Sequence, residues 1–409
     1  MNVGIVTFYY KNWNFGGQLQ ARALVRALNS NFGVTAEQIQ YDAQKSWKKH
    51  PYWMRVIYTF GESFSLGLIN GIYYIGHRLK AETRLRRNET ERNKIQNKID
   101  QRQKAFEKFF QETPHGKNVY ENDNIKECTA LYDCFVCGGD QIWNDWNDWF
   151  LFNALPTYCL EFVPGRKRKF SYAPSMPTQF DRNAYLKRLT NSIKKLNCIS
   201  VREKTSATLL CRIIENHVQV VLDPVLLLTR DQWDQERTPI HITEQYIFCY
   251  LLGEGTDIRN AATKLASKLK LPLVTVPHII QYSEDDVKFG NIQDFTSGPA
   301  EFIDLIAKAE IVVTDSYHAA VFSMIYHKEF YVFERNTQVS GGTMNSRIYD
   351  FLDEFGLKDR LVTPEQLMKK QTAEPIDYTY ADRVLERRRK ESLDYLKTAL
   401  GINDENQPT

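Results

Sequence analysis

The chain has 409 residues, 43% of them hydrophobic and 25% charged, with a formal net charge of +3. This length is too great for one ordinary hydrophobic core, so two domains are expected, and the composition is that of a folded, soluble protein. The weak net charge, without a basic run interleaved with aromatic residues, argues against nucleic-acid binding.

The chain opens on a predicted strand over residues 3–8, which argues against a signal peptide. A loop with Gly16 and Gly17 follows, then a predicted helix over 21–28 and a strand over 37–41. The two glycines let the backbone turn sharply or come close to a ligand. Their spacing is not that of a dinucleotide-binding or Walker-type fingerprint.

Residues 45–110 differ in composition and are predicted to form a helical insertion. Residues 51–76 are aromatic and aliphatic, with Arg55 and Glu62 as the only charges, whereas 77–110 are mostly basic. A helical hairpin packed on its own domain accounts for this pattern. Alternatively, the apolar part lies in a membrane interface with the basic part near anionic lipid. No uncharged apolar run reaches the roughly 18 residues that a spanning helix needs.

An alternation of strands and helices resumes after the insertion, and each strand is followed by polar residues. Residues 238–244 are predicted to be a hinge, so the domains are predicted at 1–237 and 245–375, with a C-terminal helix and tail over 376–409. The predicted strands cover 132–137, 169–173, 198–201 and 218–222 before the hinge, and 246–252, 273–276, 311–313 and 330–333 after it. The predicted helices cover 205–214, 257–269, 300–308 and 380–400.

The seven cysteines are scattered, which is typical of a cytosolic protein with reduced thiols. Cys134 and Cys137 have C-x-x-C spacing, but they fall in a predicted strand whose alternation places them on opposite faces. No second pair completes a zinc site, so we expect buried thiols and no metal.

The most informative stretch is the strand over 311–313, which runs through Asp315 and Ser316 directly into a helix. Ligands of open α/β sheets bind at the carboxyl ends of strands. Asp315 or Ser316 can cap the new helix, whose first N–H groups are free to hold an anion. His318 lies in that first turn, so the sequence predicts an ionisable side chain beside an anion site.

Seven motifs in this order resemble the polysaccharide pyruvyl transferase family and span residues 14–348. Each motif alone is weak evidence for the family, but seven motifs in the family's order are strong evidence. They are Asn14-Phe15-Gly16-Gly17-Gln18-Leu19-Gln20, Gly138-Gly139-Asp140-Gln141-Ile142-Trp143-Asn144, Ser171-Tyr172-Ala173-Pro174-Ser175, Ser200-Val201-Arg202-Glu203, Leu222-Asp223-Pro224, Thr314-Asp315-Ser316-Tyr317-His318 and Asn345-Ser346-Arg347-Ile348.

The resemblance implies an α/β, GT-B-like fold: two Rossmann-type domains facing across a cleft, with a C-terminal helix that crosses back to the first. It implies transfer of a pyruvyl group from phosphoenolpyruvate to a sugar of a surface polysaccharide or its precursor, forming a pyruvate ketal. Phosphoenolpyruvate is then a co-substrate, and no cofactor or metal is expected. A cytoplasmic location at the inner membrane face, with a glycan or lipid-linked acceptor, is also implied.

The donor carries a phosphate and a carboxylate, which arginine pairs with best. The resemblance implies that Arg202 binds the donor, although an ion pair with Glu203 would be the ordinary structural role. His318 can bind phosphate or act as general acid. Better-known members carry an Arg-Leu-His-like triplet, and here Ser316 stands in place of its arginine. Ser316 is therefore expected to donate a hydrogen bond to the donor, and Arg347 to supply the lost charge.

Asp140 follows two glycines at a strand end and can deprotonate the acceptor, or simply cap the next helix. The acceptor side is expected to include Gly16, Gly17 and Gln18. Gln141 and Asn144 are expected to bind sugar hydroxyls and Trp143 to stack on the ring. Asp223, before a proline, is predicted to form a structural turn, and residues 340–343 to form a mobile loop over the ligand.

Two rival functions use other features of the sequence. A GT-B glycosyltransferase that uses a nucleotide sugar would keep the same cleft, and Ser316 favours it slightly. A membrane-peripheral assembly protein would use residues 51–104 to bind lipid or a partner.

Overall fold

Parallel β-strands form two five-stranded sheets and a two-stranded one in this computed structural model, which describes residues 1–49, 51, 53–54, 93–144, 154–176, 183–253, 255–278, 284–335, 345–369 and 375–402. The first sheet and the elements packed on it are here called the first lobe, and those of the second sheet the second lobe. The strands are β1 (Asn2–Val6), β2 (Thr35–Tyr41), β3 (His115–Tyr120), β4 (Cys134–Gly138), β5 (Arg168–Tyr172), β6 (Ile199–Val201) and β7 (Val218–Val220) in the first lobe, and β8 (Ile247–Tyr250), β9 (Leu273–Thr275), β10 (Ile292–Gln293), β11 (Ile311–Thr314) and β12 (Glu329–Val332) in the second.

Both five-stranded sheets have the strand order of a Rossmann-type fold. The first runs β3-β2-β1-β4-β5, and the second runs β10-β9-β8-β11-β12. A bridge between Phe170 and Cys198 places β6 beside β5, and β6 pairs with β7. Every described strand pair is parallel, so all carboxyl ends within one sheet lie on one edge.

Helices connect these strands and cover the sheets. They are α1 (Phe15–Phe32), α2 (Ala43–Lys48), α3 (Gln96–Glu112), α4 (Leu155–Tyr158), α5 (Asn183–Ile193), α6 (Lys204–Ile213), α7 (Arg230–Asp234), α8 (Thr256–Leu269), α9 (Glu284–Val287), α10 (Pro299–Lys308), α11 (Tyr317–Ile325), α12 (Ser346–Glu354), α13 (Pro364–Lys369) and α14 (Thr379–Leu400). Among the described helices, none is both long and apolar enough to cross a membrane.

Helix α1 shows how local sequence sets an element that the site depends on. The Asn14 side chain accepts a hydrogen bond from the Gly17 N–H and caps the helix, which ends at Gly33 with φ +60°. Asparagine is a preferred N-cap and glycine a preferred left-handed terminator. The helix therefore begins directly after the β1 loop, at the carboxyl edge of the first sheet.

Side-chain alternation divides the core into layers. In β4, Cys134 packs into the largest apolar cluster and Cys137 into a second cluster on the other face of the sheet. The predicted opposite faces are thus confirmed, and burial raises the pKa of the Cys134 thiol to about 12. The largest cluster includes Val3 of the first sheet and Phe248 of the second, so one apolar core runs through both lobes.

The last helix joins the two lobes. Near its start, the Tyr378 hydroxyl donates to the Lys328 carbonyl of the second lobe at 2.5 Å. Near its end, the Tyr395 hydroxyl donates to the Ser171 carbonyl of β5 at 2.7 Å, and Ser392 accepts from the Leu222 N–H at 2.9 Å. The predicted crossing helix and GT-B-like architecture are confirmed, whereas the predicted domain boundaries stay predictions.

The insertion is described only at its two ends. Residues 55–92 lie outside the described residues, so the predicted hairpin and the apolar stretch cannot be compared with the structure. At the C-terminal end of the insertion, α3 contacts both lobes. The sequence did not predict β3 or β10, which are short edge strands without an apolar run.

Candidate functional site

The carboxyl edges of the two sheets meet, and loops from both contribute polar side chains to one region. Arg202 and Asp223 follow β6 and β7 of the first lobe. Asp315 follows β11, and His318 lies in the first turn of α11. Arginine, histidine and buried carboxylate side chains of both lobes therefore lie together, and Arg335 and Arg347 of the second lobe belong to the same region.

Asp223 lies at the centre of this region, with its carboxylate fully buried. Its Oδ2 pairs with Arg202 Nη1 and lies 3.5 Å from His318 Nε2 of the other lobe. Its Oδ1 accepts from the Val225 N–H at 2.9 Å, which confirms the predicted turn. Although burial opposes ionisation, Arg202 and His318 hold the pKa of Asp223 well below its ordinary value. The residue is thus an anion that connects a cation and a histidine across the cleft.

His318 is held between this carboxylate and a glycine. A Cβ on Gly16 would lie 2.0 Å from His318 Nδ1, so the ring rests directly on the α1 backbone. The residue is 7% exposed, and its Nε2 forms no hydrogen bond within the described residues. Gly16 is therefore needed for the close approach of the histidine.

Arg202 is buried and ion-paired, yet part of its fork is unused. Its Nε lies 3.3 Å from Glu203 Oε1, and Nη1 contacts Asp223. Burial opposes its charge, but Asp223 and Glu203 raise its pKa. The Nη2 atom has no hydrogen-bond partner in the described part of the chain, so two of its N–H groups remain for a ligand.

Arg347, in the first turn of α12, has no acidic partner within ion-pair distance among the residues described. Its guanidinium lies 5.8 Å from the Tyr317 ring, and that of Arg202 lies 4.5 Å from the same ring. Burial, together with the charges of Arg202 and Arg335, lowers the pKa of Arg347 to about 10. Uncompensated positive charge of this kind favours an anionic ligand.

Arg335, two residues beyond the buried Phe333 that follows β12, is a third cation that the sequence analysis missed. Its Nη2 donates to the Asp315 carbonyl at 3.1 Å, and its Nε lies 3.8 Å from Asp315 Oδ2. The Asn345 side chain accepts from the Arg335 N–H at 3.0 Å and donates to its carbonyl at 3.2 Å. The signal was available, because polar residues after a strand were the criterion applied to the other strands.

Asp315 does not cap α11 but binds the neighbouring loop. Its two oxygens accept from the N–H groups of Leu252 and Gly253, each at 2.7 Å. Ser316 has the N-cap position, but its hydroxyl makes no capping bond. Among the described residues, the hydroxyl and the first amides of α11 are thus left as donors.

Asp140 lies in strained backbone opposite the arginines. It has φ +40°, a left-handed conformation that is uncommon for a residue with a side chain. The preceding Gly139 has φ +63°, and a Cβ there would lie 1.7 Å from Gln20 Oε1. The Asp140 carbonyl accepts from the Ser175 N–H at 2.8 Å, and its charge acts on Arg202 and Arg347. No helix begins here for it to cap.

Two predicted acceptor residues are buried in the core. The predicted stacking of Trp143 on a sugar was wrong, whereas the acceptor role of Gln18 stays a prediction. Trp143 is fully buried, and its Nε1 donates to the Tyr158 carbonyl at 3.3 Å, so it cannot stack on a sugar. Gln18 is 3% exposed, and its amide donates to the carbonyls of Tyr9 and Asn12. An apolar or amide residue near a strand end can face inward, and only packing decides this.

The remaining predictions concern the other acceptor-side residues, the mobile loop and Asp223. Gly17 and Asn144 are buried, and Gln141 is half-buried on the loop after β4, so their contacts with an acceptor stay predictions. The proposed mobile loop over 340–343 lies outside the described residues. Asp223 was predicted only as a turn, and its contacts with Arg202 and His318 could not be inferred from adjacent sequence.

Comparison with known proteins gives one family. The family model described as polysaccharide pyruvyl transferase matches residues 14–337, most of the chain. No curated protein matches the chain significantly in sequence.

Solved structures are similar to the chain at low identity. The UDP-GlcNAc 2-epimerase from Methanocaldococcus jannaschii is 12% identical with a TM-score of 0.49, covering 95% of this chain and 99% of that one. A putative UDP-N-acetylglucosamine 2-epimerase from Listeria monocytogenes is 11% identical with a TM-score of 0.49, covering 100% and 99%. The spinosyn rhamnosyltransferase SpnG is 11% identical with a TM-score of 0.40, covering 98% and 100%. Identities of this order carry no information about the reaction.

The Asp223→Asn variant tests the central carboxylate. We expect it to lower the free energy of unfolding at neutral pH by about 3 kcal/mol, because it leaves a buried cation less compensated. Since the pKa of Asp223 is lower in the folded chain than in the unfolded one, its contribution is complete above about pH 4 and lost as the pH falls further. Urea unfolding of the wild-type protein and the variant should therefore give free energies of unfolding whose difference becomes smaller as the pH falls below about 4.

Asp382→Asn is the matched control, because Asp382 pairs with His327 at 2.9 Å on the surface. An exposed pair contributes at most about 1 kcal/mol. An equal loss of unfolding free energy in the two variants would contradict the assigned role of Asp223. So would a loss in Asp223→Asn that does not depend on pH.

Proposed function

Because the chain belongs to the polysaccharide pyruvyl transferase family, we propose that it transfers a pyruvyl group from phosphoenolpyruvate to a sugar of a surface polysaccharide or its precursor. The observation that supports this donor is the group of three arginines between the lobes. One of them, Arg347, has no acidic partner within the described residues.

The charge pattern suits a small molecule with two anionic groups. Among the described residues, Arg202 Nη2 has no hydrogen-bond partner, Arg347 has no acidic partner, and Arg335 is only partly neutralised by Asp315. A phosphate and a carboxylate on a three-carbon chain each need a pair of hydrogen-bond donors, and the two pairs must lie close together. Neighbouring guanidinium groups supply such pairs. The Ser316 hydroxyl and the α11 amides add neutral donors. In this proposal Arg335 supplies the charge expected from an arginine at position 316.

The proposed chemistry uses His318 and Asp140. His318 protonates the methylene carbon of the enol, which becomes a methyl group, and leaves the central carbon open to attack. Asp140 accepts the proton of a sugar hydroxyl as its oxygen bonds to that carbon. A second hydroxyl then bonds to the same carbon as the bond to the phosphate oxygen breaks, and its proton leaves with that oxygen, giving the ketal and inorganic hydrogen phosphate. The proton held by Asp140 passes to solvent and His318 takes one back, which restores both residues. Proton transfer by a positioned group contributes typically about 10²- to 10⁴-fold to rate.

The acceptor in this proposal approaches from the first lobe. Asp140 and Gln141 lie on the loop after β4, and Gly16 and Gly17 lie at the start of α1. These two loops come from adjacent strands, since β1 pairs with β4. A glycan or lipid-linked sugar is the class of acceptor that the family suggests.

Variants of the site arginines, compared with a variant of a distant arginine, should show whether the site arginines bind the donor. We expect phosphate release from phosphoenolpyruvate, in the presence of a panel of glycan acceptors, to fall about 10²-fold or more in Arg202→Ala and Arg347→Ala, because each removes charge-assisted hydrogen bonds to the donor. Arg166→Ala changes an exposed arginine away from the site and should leave the rate unchanged. Unaltered rates in both site variants would overturn the assignment.

A nucleotide-sugar glycosyltransferase is the main rival, and ligand-induced stabilisation distinguishes it. We expect phosphoenolpyruvate to raise the melting temperature, because a ligand at 100 times its Kd stabilises by about 2.7 kcal/mol. Arg347→Ala should abolish that shift. Stabilisation by UDP or GDP, but not by phosphoenolpyruvate, would favour the rival.

Peripheral membrane contact through residues 51–104, on the cytoplasmic face, is a proposal that rests on sequence. Arg102 does not take part in it, because that side chain is buried against the second lobe. Apolar residues followed by basic ones suit an interface with anionic lipid. Co-sedimentation with vesicles that contain anionic phospholipid should therefore exceed that with neutral vesicles and fall at high salt. Equal sedimentation with both would exclude this contact and the assembly-protein rival with it.

A further inference from the structure

Helix α3 belongs to the first lobe by connectivity but contacts the second. It lies in the crossover between β2 and β3. Its Arg102 donates from Nη1 to the Pro277 carbonyl at 2.7 Å and from Nη2 to the Asp294 carbonyl. These carbonyls follow β9 and β10, so Arg102 binds the carboxyl edge of the second sheet.

The surroundings of Arg102 disfavour a positive charge, so added stability alone does not explain this residue. The residue is 5% exposed, and no carboxylate lies within ion-pair distance among the described residues. Its Nε has no hydrogen-bond partner there, and burial lowers its pKa to about 10. A buried charge of this kind is weak evidence for net stability, but it defines one arrangement of its acceptors.

A second contact fixes the same helix on the second lobe. A Cβ on Gly298 would lie 2.7 Å from Ala105 Cβ and 2.9 Å from the Ala105 carbonyl carbon. Gly298 has φ −92° and ψ −168°, which any residue can adopt. The glycine is therefore required by the closeness of α3, and not by its own backbone.

Aromatic packing leads from α3 to the proposed catalytic histidine. The Arg102 guanidinium lies 5.9 Å from the Phe15 ring, and the Phe106 ring lies 4.9 Å from it. Phe15 also stacks at 4.4 Å on Phe302 of the second lobe. Phe15 directly precedes Gly16, on which the His318 ring rests.

We propose that Arg102 is a positioning residue: from α3 it binds the Pro277 and Asp294 carbonyls and so fixes Gly16 and Asp223 of the first lobe against His318 of the second. This proposal rests on the proposed function for its catalytic readout. Its structural readout, the spacing of the lobes, is independent of the reaction.

Two variants weaken the interface in different ways. Arg102→Met removes the donors and keeps an apolar stem, whereas Gly298→Ala forces α3 away without touching Arg102. Gly255→Ala is the matched control, because Gly255 is also a helix N-cap in the second lobe and its Cβ would meet only Ile258, at 3.7 Å. Arg102→Lys retains one strong donor and should be intermediate.

We expect both interface variants to have a larger radius of gyration in small-angle scattering without ligand, and the control to be unchanged. Their kcat should fall about 10²-fold, as expected when reacting groups are displaced by about 1 Å. Their KM for phosphoenolpyruvate should rise less than kcat falls, because two of the three proposed donor-binding arginines, Arg335 and Arg347, lie together in the second lobe and only Arg202 lies in the first. A purely structural role would not give this split between kcat and KM.

Folded interface variants with unchanged scattering and unchanged kcat would overturn the proposal. If Arg102→Met fails to fold, Gly298→Ala decides. If the wild-type protein releases no phosphate from phosphoenolpyruvate, the proposed function fails, and the radius of gyration still tests whether Arg102 holds the lobes together.

Discussion

The buried carboxylate of Asp223 is the interaction on which the site depends. It joins Arg202 of the first lobe to His318 of the second, and its own turn is fixed by the Val225 amide. Arg202 would not tolerate this burial without the carboxylate, since an isolated buried charge costs several kcal/mol. The loop after β6, the loop after β7 and the first turn of α11 are therefore held in one arrangement. That arrangement exists only when the two lobes are together.

The three arginines around this carboxylate are neutralised to different extents, and this difference indicates where an anionic ligand binds. Arg202 has two carboxylate partners and Arg335 has one, whereas Arg347 has none among the described residues. Arg347 is half-buried, and partial burial of a guanidinium without a carboxylate partner is unfavourable for stability, so a ligand accounts for it better. The position of Arg347, near the same tyrosine ring as Arg202, concentrates the excess at one point of the cleft. The anion is thus attracted to the boundary between the lobes, where the histidine also lies.

Sequence reasoning was successful where a single strand and the residue after it carry the information. It predicted ten of the strands in the right order and placed Arg202, Asp140 and His318 at carboxyl ends. It failed where several elements decide together. Trp143 was expected to face a sugar, yet it fills the core beneath its loop, because burial depends on what packs from the other side. Asp223 looked like an ordinary turn, since nothing in Leu222-Asp223-Pro224 indicates a histidine from another lobe. Arg335 follows a strand as the others do, but outside the matching motifs.

The crossing helix has a consequence for the order in which this chain folds. Residues that close the first lobe, among them Tyr395 and Leu396, are made about 165 residues after α7, the last helix before the second sheet. At a synthesis rate of about 5–20 residues per second, the first lobe waits on the order of 10–30 seconds on the ribosome with its β5 face uncovered. Completion of this lobe is therefore a late event, which follows synthesis of the whole second sheet. During that interval the nascent chain presents apolar surface for chaperones to cover.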